Sequence, residues 1–184
     1  MKCLNQNFLA CRLNHSREKL GPLTYVSGSN AFSNRLQNIP LDADYITIKI
    51  GINDGADHKN FPLGVIDDLD NTTFYGAWNV VFDYLTSNFP FAKIGVIVSN
   101  GLDSIEYATA TIEACKRWGI PYINLATDET LPLMLRSLRT DVTSTAKARR
   151  NEAFAVAWGA GNNHPNEKAH EFESYIIENW LKSI

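Results

Sequence analysis

The sequence predicts an α/β fold in which helices cover both faces of a parallel sheet. From Asp44 onward, short β-branched runs alternate with longer stretches of helical periodicity, a pattern typical of parallel α/β construction. The β-branched runs are almost continuously apolar, as expected of strands that are buried on both faces. The chain has 184 residues, the length of one domain, so we expect residues 1–184 to form a single domain.

Three strands are predicted from β-branched runs that end in polar or small residues. They cover 45–50, 93–99 and 120–125. The residues expected at the centre of the core are Ile46, Ile48, Ile50, Ile94, Val96, Val98 and Ile123. Residues 1–29 follow no such pattern and form an atypical amino-terminal segment with one apolar run at 8–11.

Three helices are predicted from apolar side chains that recur at spacings of three and four. The first covers 74–85 and follows the polar run Asn71-Thr72-Thr73, which can cap it. The second covers 105–115, and the third begins at Pro165, a residue favoured in the first turn of a helix. The stretch 58–70 is rich in Asp, Gly and Pro and is predicted to be a long surface loop of the kind that shapes binding clefts.

Composition excludes several classes of function. The 17 Lys+Arg and 20 Asp+Glu residues give a net charge of −3, which offers no electrostatic reason to expect nucleic acid or an anionic membrane as a partner. The three cysteines show no C-x-x-C spacing, so we expect reduced thiols and neither a zinc ribbon nor another metal site. No apolar run reaches the length of a membrane span or of a signal peptide.

A candidate binding segment follows the strand predicted at 45–50. Gly51-Ile52-Asn53-Asp54-Gly55 stands at the carboxyl end of that strand, where open α/β sheets bind their ligands. A side-chain amide at this place can donate to a developing oxyanion. The alternative interpretation is an ordinary Asn-Asp-Gly turn.

A second candidate residue, His164, lies between a glycine-containing loop and Pro165. An imidazole with a pKa near ~6.5 is the usual general base for a hydroxyl nucleophile. The alternative is a surface histidine or a histidine that caps the last helix.

These segments together resemble conserved blocks of the SGNH, or GDSL-like, hydrolase family. Gly51-x-Asn53-Asp54 resembles the third block, His164-Pro165-Asn166 the fifth, and Ser27-Gly28 the second. The resemblance implies a flavodoxin-like three-layer α/β/α sandwich with a parallel sheet. It also implies hydrolysis of esters, often acetyl or acyl groups on carbohydrates or lipids.

The resemblance also implies roles for individual residues. His164 would be the catalytic base, and Asn53 and Gly28 would hold the oxyanion, with Gly21 as an alternative to Gly28. It implies no cofactor and no metal. The expected partner is a small-molecule or carbohydrate ester, while neither the oligomeric state nor the compartment follows from the sequence.

Two departures from the family pattern concern the catalytic residues. The chain has no Gly-Asp-Ser, and Gly161 stands where an acid usually precedes His164 by three residues. One account is that the segment with the nucleophile precedes Met1, in which case this chain would hydrolyse esters poorly. The other is that 8–13 serves as the first strand and leaves Ser16 near its end as nucleophile, although a serine in a solvated loop fits the same residues.

Two other functions compete with ester hydrolysis. A non-catalytic carbohydrate-binding or structural module could keep the fold without Gly-Asp-Ser, because a fold does not guarantee its chemistry. A nucleotide-binding domain is the third possibility, but the sequence contains neither a Walker loop nor G-x-G-x-x-G. Ester turnover, measured for this chain and for an amino-terminally extended chain, separates the first hypothesis from the other two.

Overall fold

The structure, a computed structural model, describes residues 9–10, 31–51, 54, 61–98, 105–126 and 167–184. The strands in these ranges are β1 (Leu9–Ala10), β2 (Tyr45–Ile48), β3 (Lys93–Val98) and β4 (Tyr122–Asn124). The α-helices are α1 (Phe74–Asn88), α2 (Ile105–Trp118) and α3 (Glu167–Leu181). Two short 3-10 helices, Phe32–Asn34 and Leu36–Asn38, precede β2.

The four described strands form one parallel sheet in the order β1-β2-β3-β4. The three predicted strands are all present in it, and the predicted helices are present as well. The strand predicted at 45–50 leaves the ladder after Ile48, two residues earlier than expected. β1, the shortest strand, lies in the atypical amino-terminal segment and pairs Leu9 with Ile46.

Side chains of β3 alternate between the two faces of the sheet. Ile94, Val96 and Val98 pack into a core formed with α1 and α2, whereas Ile97 belongs to a second cluster formed with α3. The structure is therefore a three-layer sandwich with α1 and α2 on one face and α3 on the other. The α/β fold class predicted from the sequence is confirmed.

The predicted core is correct for most of its members. Ile46, Ile48, Ile94, Val96 and Val98 are buried. Ile50 and Ile123 were wrongly expected at the centre, and both are only partly buried. Ile50 lies beyond the last paired residue of β2, and Ile123 lies on the face of the sheet that α3 covers.

The first turn of α1 is capped as its sequence predicts. The Thr73 side chain accepts a hydrogen bond from the backbone N–H of Gly76 at 3.1 Å, and its hydroxyl donates to Asp68 at 2.8 Å. These bonds satisfy one of the free N–H groups at the helix start and join it to the preceding loop. α1 then buries Trp78 and Phe82, whose rings stack at 5.0 Å between centroids.

Helix α3 runs antiparallel to the strands. Glu173 pairs with Lys49, which lies just past the carboxyl end of β2, whereas the last residue, Ile184, accepts a hydrogen bond from Lys93 at the amino end of β3. The Trp180 ring lies between these two contacts, against Gly95. The amino end of α3 is therefore at the carboxyl edge of the sheet.

Gly95 is needed for the close packing of α3 on the sheet. A Cβ at this position would stand 2.5 Å from the Trp180 ring and 3.0 Å from Ile184. We expect Gly95→Ala to lower the free energy of unfolding by about 1–3 kcal/mol, because the helix must move away from β3. Urea unfolding measures this change. The loss should shrink in a Trp180→Leu background, and an equal loss in both backgrounds would contradict the packing explanation.

Cys115, on α2, is a free and fully buried thiol, in agreement with the expectation of reduced thiols. Burial raises its pKa to about 12, so the thiol stays protonated and is a poor nucleophile at neutral pH.

Among the described helices, none combines the length and the apolar character needed to cross a membrane.

Candidate functional site

The four predicted site residues, Ser16, Gly28, Asn53 and His164, lie outside the described residues. Their roles therefore remain predictions. The structure does describe residues close to three of them in the chain, namely Ala10 in β1, Gly51 and Asp54 on either side of Asn53, and Glu167 at the start of α3. These neighbours define a candidate site at the carboxyl edge of the sheet.

A tight turn follows β2 at this edge. The backbone N–H of Asp54 donates to the carbonyl oxygen of Gly51 at 3.2 Å. Gly51 has a φ of 107°, a left-handed backbone conformation in which a side chain would be strained. The turn itself therefore requires a glycine at position 51.

Asp54 is completely buried beside the first turn of α2. It lies near Tyr107, and its negative charge helps to raise the pKa of the tyrosine hydroxyl, although burial of the hydroxyl is the larger cause. The hydroxyl remains protonated at neutral pH and donates a hydrogen bond to the carbonyl oxygen of Phe61. The turn after β2 and the loop from Phe61 onward are therefore held against the same tyrosine.

The loop predicted at 58–70 is anchored where the structure describes it, from 61 to 70. The side-chain amide of Asn79, which is buried in α1, donates to the carbonyl oxygens of Ile66 and Asp68, each at 2.8 Å. The Asn79 carbonyl oxygen accepts from the Trp118 indole at 2.7 Å. One buried side chain thus fastens this loop to both helices on its face of the sheet.

Lys49 and Glu173 form an ion pair at the same edge, on the face covered by α3. The Lys49 Nζ lies 3.0 Å from the Glu173 Oε2, and the Glu173 side chain is only 4% exposed while that of Lys49 is 33% exposed. Opposite charges attract more strongly where water is partly excluded. The pair therefore fixes α3 to the chain segment that leaves β2.

Cavities formed by described residues lie elsewhere. A cavity of about 420 Å³ opens at the amino edge of the sheet, where Pro90, Lys93 and Pro121 contribute to its wall. A second, of about 530 Å³, lies on the outer side of α1 beside Val80 and Tyr84. Within the described ranges, no group of three His, Cys, Asp or Glu side chains could hold a metal ion.

Sequence reasoning did not identify the Lys49–Glu173 pair. The two residues are 124 positions apart, and neither belongs to a recognisable motif. A lysine near the end of an otherwise apolar strand was the one available signal, because charged side chains are rarely placed in a sheet covered on both faces. That signal does not indicate which carboxylate lies opposite.

Comparison with protein-family models and with curated proteins gives no match. Solved structures do share the fold. A protein from Lactobacillus plantarum is 26% identical over 88% of this chain and 76% of its own, with a TM-score of 0.64. A candidate GDSL-like lipase from Bacteroides ovatus is 20% identical over 84% of this chain and 60% of its own, with a TM-score of 0.57. The fold predicted from the resemblance to GDSL-like hydrolases is therefore the observed fold.

Proposed function

We propose that this chain is an ester hydrolase of the SGNH type that acts on small acyl esters, with acetylated carbohydrates as the expected substrate class. The direction of α3 is the observation that carries the proposal. Asn53 is one residue before Asp54, which lies at the carboxyl edge. His164 is three residues before Glu167, where α3 begins. A chain spans at most ~3.6 Å per residue, so three residues reach about 11 Å. This supports a shared cleft for Asn53 and His164.

The register of β1 supports Ser16 as the nucleophile. Ala10 is paired with Thr47 in the parallel ladder. Ser16 follows Ala10 by six residues, and Asn53 follows Thr47 by six residues. Because β1 and β2 are parallel neighbours, the segments carrying these two residues leave the sheet at the same edge. The presence of β1 beside β2 also favours the account in which 8–13 supplies the first strand.

The proposed reaction follows from these roles. His164 removes the proton from the Ser16 hydroxyl, and the oxygen attacks the ester carbonyl carbon. Asn53 and the backbone N–H of Gly28 donate hydrogen bonds to the resulting oxyanion. The alcohol leaves with the proton from His164, and water then hydrolyses the acyl-serine to release the acid and restore the serine.

A non-catalytic carbohydrate-binding module remains the second candidate, and one sequence observation favours it. The chain has Gly161 where an acid would orient His164, and it has no Gly-Asp-Ser. An imidazolium without a neighbouring carboxylate is less stabilised in the transition state. A module that has lost catalysis can keep its fold and its cleft.

Covalent labelling tests the proposed function. The purified chain is incubated with p-nitrophenyl acetate to measure turnover and, separately, with a fluorophosphonate that reacts with activated serines. We expect release of p-nitrophenol and a single labelled serine, Ser16, identified by mass spectrometry of the digested chain. Heat-denatured protein is the control for non-specific labelling. Labelling of a different serine would refute the role of Ser16, and absence of both turnover and labelling would favour the binding module.

A further inference from the structure

We propose that Lys49 and Glu173 are positioning residues of the candidate hydrolase, whose ion pair sets the distance between the segment carrying Asn53 and the segment carrying His164. This inference rests on the proposed function. Its structural basis is the location of the pair. Lys49 precedes Asn53 by four residues, and Glu173 follows His164 by nine.

The geometry limits how far the two segments can move apart. Lys49 is separated by one residue from Gly51, where the tight turn begins, so a displacement of its backbone is transmitted to that turn. Glu173 lies within α3, whose backbone hydrogen bonds make it a rigid rod from Glu167 onward. A 3.0 Å contact between these two side chains therefore fixes the start of the helix relative to the end of β2.

The ion pair and the described apolar contacts lie in different halves of α3. Among the side chains of α3 that the structure describes, Ile176, Ile177 and Trp180, in the carboxyl-terminal half, make apolar contacts with the sheet. Glu173 is the buried residue closest to the amino end among those whose exposure is described, and it is charged. The described apolar residues hold the carboxyl-terminal half of the helix on the sheet, and the ion pair joins its amino-terminal half to the end of β2.

Substitutions that remove one charge test the positioning role. In Lys49→Met the apolar stem is kept without the ammonium group, and in Glu173→Gln the shape is kept without the charge. We expect kcat for p-nitrophenyl acetate to fall about 10- to 100-fold in each, because a misplacement near 1 Å is enough for such a loss. KM should stay within about twofold. The double variant should lose no more than either single one, and Lys49→Arg should retain kcat within about threefold.

Lys182→Met is the matched control, because Lys182 forms an exposed ion pair with Glu178 at the other end of the helix. It should leave kcat unchanged. Circular dichroism at the assay temperature establishes that each variant is folded. If folded Lys49→Met and Glu173→Gln retain wild-type kcat and lose only thermal stability, the positioning role is overturned while the hydrolase stands. If the unaltered chain shows no turnover that depends on His164, the proposed function itself fails and the positioning role with it.

Discussion

Ser16→Ala and His164→Ala should each lower kcat for p-nitrophenyl acetate by about 10⁴- to 10⁶-fold, and the double variant should lose no more. The losses are not additive because the base has no proton to remove once the serine is absent, and the hydroxyl is a weak nucleophile without the base. In the unaltered chain, kcat/KM should decline as the pH falls, because protonation of His164 removes the general base.

His170→Ala, in α3, is the matched control and should leave kcat unchanged. Measuring rates that differ by about 10⁵-fold requires enzyme that has been purified away from host esterases. A tagged inactive variant, prepared in parallel, gives the activity that such contaminating esterases contribute. Turnover that survives in Ser16→Ala but is lost in His164→Ala would assign the nucleophile to another residue. Turnover that survives in both would end the proposed mechanism.

The layers of this fold could be predicted from the sequence because each depends on a local pattern. The nearly continuous apolar run at 93–98 and the three-and-four spacing in α1 need no knowledge of distant residues. The cap at Thr73 is local as well. The two 3-10 helices at 32–38 have little local signal and were not predicted. The two-residue strand β1 lies in the run 8–13, which the sequence offered as a first strand in only one of two alternative accounts. β1 is defined by its pairing with β2, which no local pattern encodes.

The candidate site was likewise predicted only in those parts that depend on local sequence. The segment after β2 could be predicted to lie at the carboxyl edge of the sheet, because that edge follows from strand direction alone. The contacts that hold this edge in place join residues far apart in the chain. Tyr107 reaches Phe61 across 46 positions, and Lys49 reaches Glu173 across 124. Such contacts depend on how the helices pack on the sheet, and local patterns in a single sequence do not indicate that packing.

Asn53→Ala is expected to lower kcat by about 10²- to 10³-fold, with a much smaller change in KM. The reason is that a hydrogen bond to the oxyanion strengthens only when charge develops in the transition state, so its loss raises the barrier without weakening binding of the ester. Steady-state kinetics with p-nitrophenyl acetate separates the two parameters.

A matched control is Asn71→Ala, which removes an exposed amide that donates to Asn34 at 2.8 Å and should leave kcat unchanged. Asn53→Asp sharpens the test. The new carboxylate has the size of the amide but no N–H to donate, and its negative charge would repel the oxyanion, so kcat should fall at least as far as in Asn53→Ala. If Asn53→Ala instead raised KM and kept kcat, the amide would contact the ground-state substrate alone, and the oxyanion hole would have to be built from other donors.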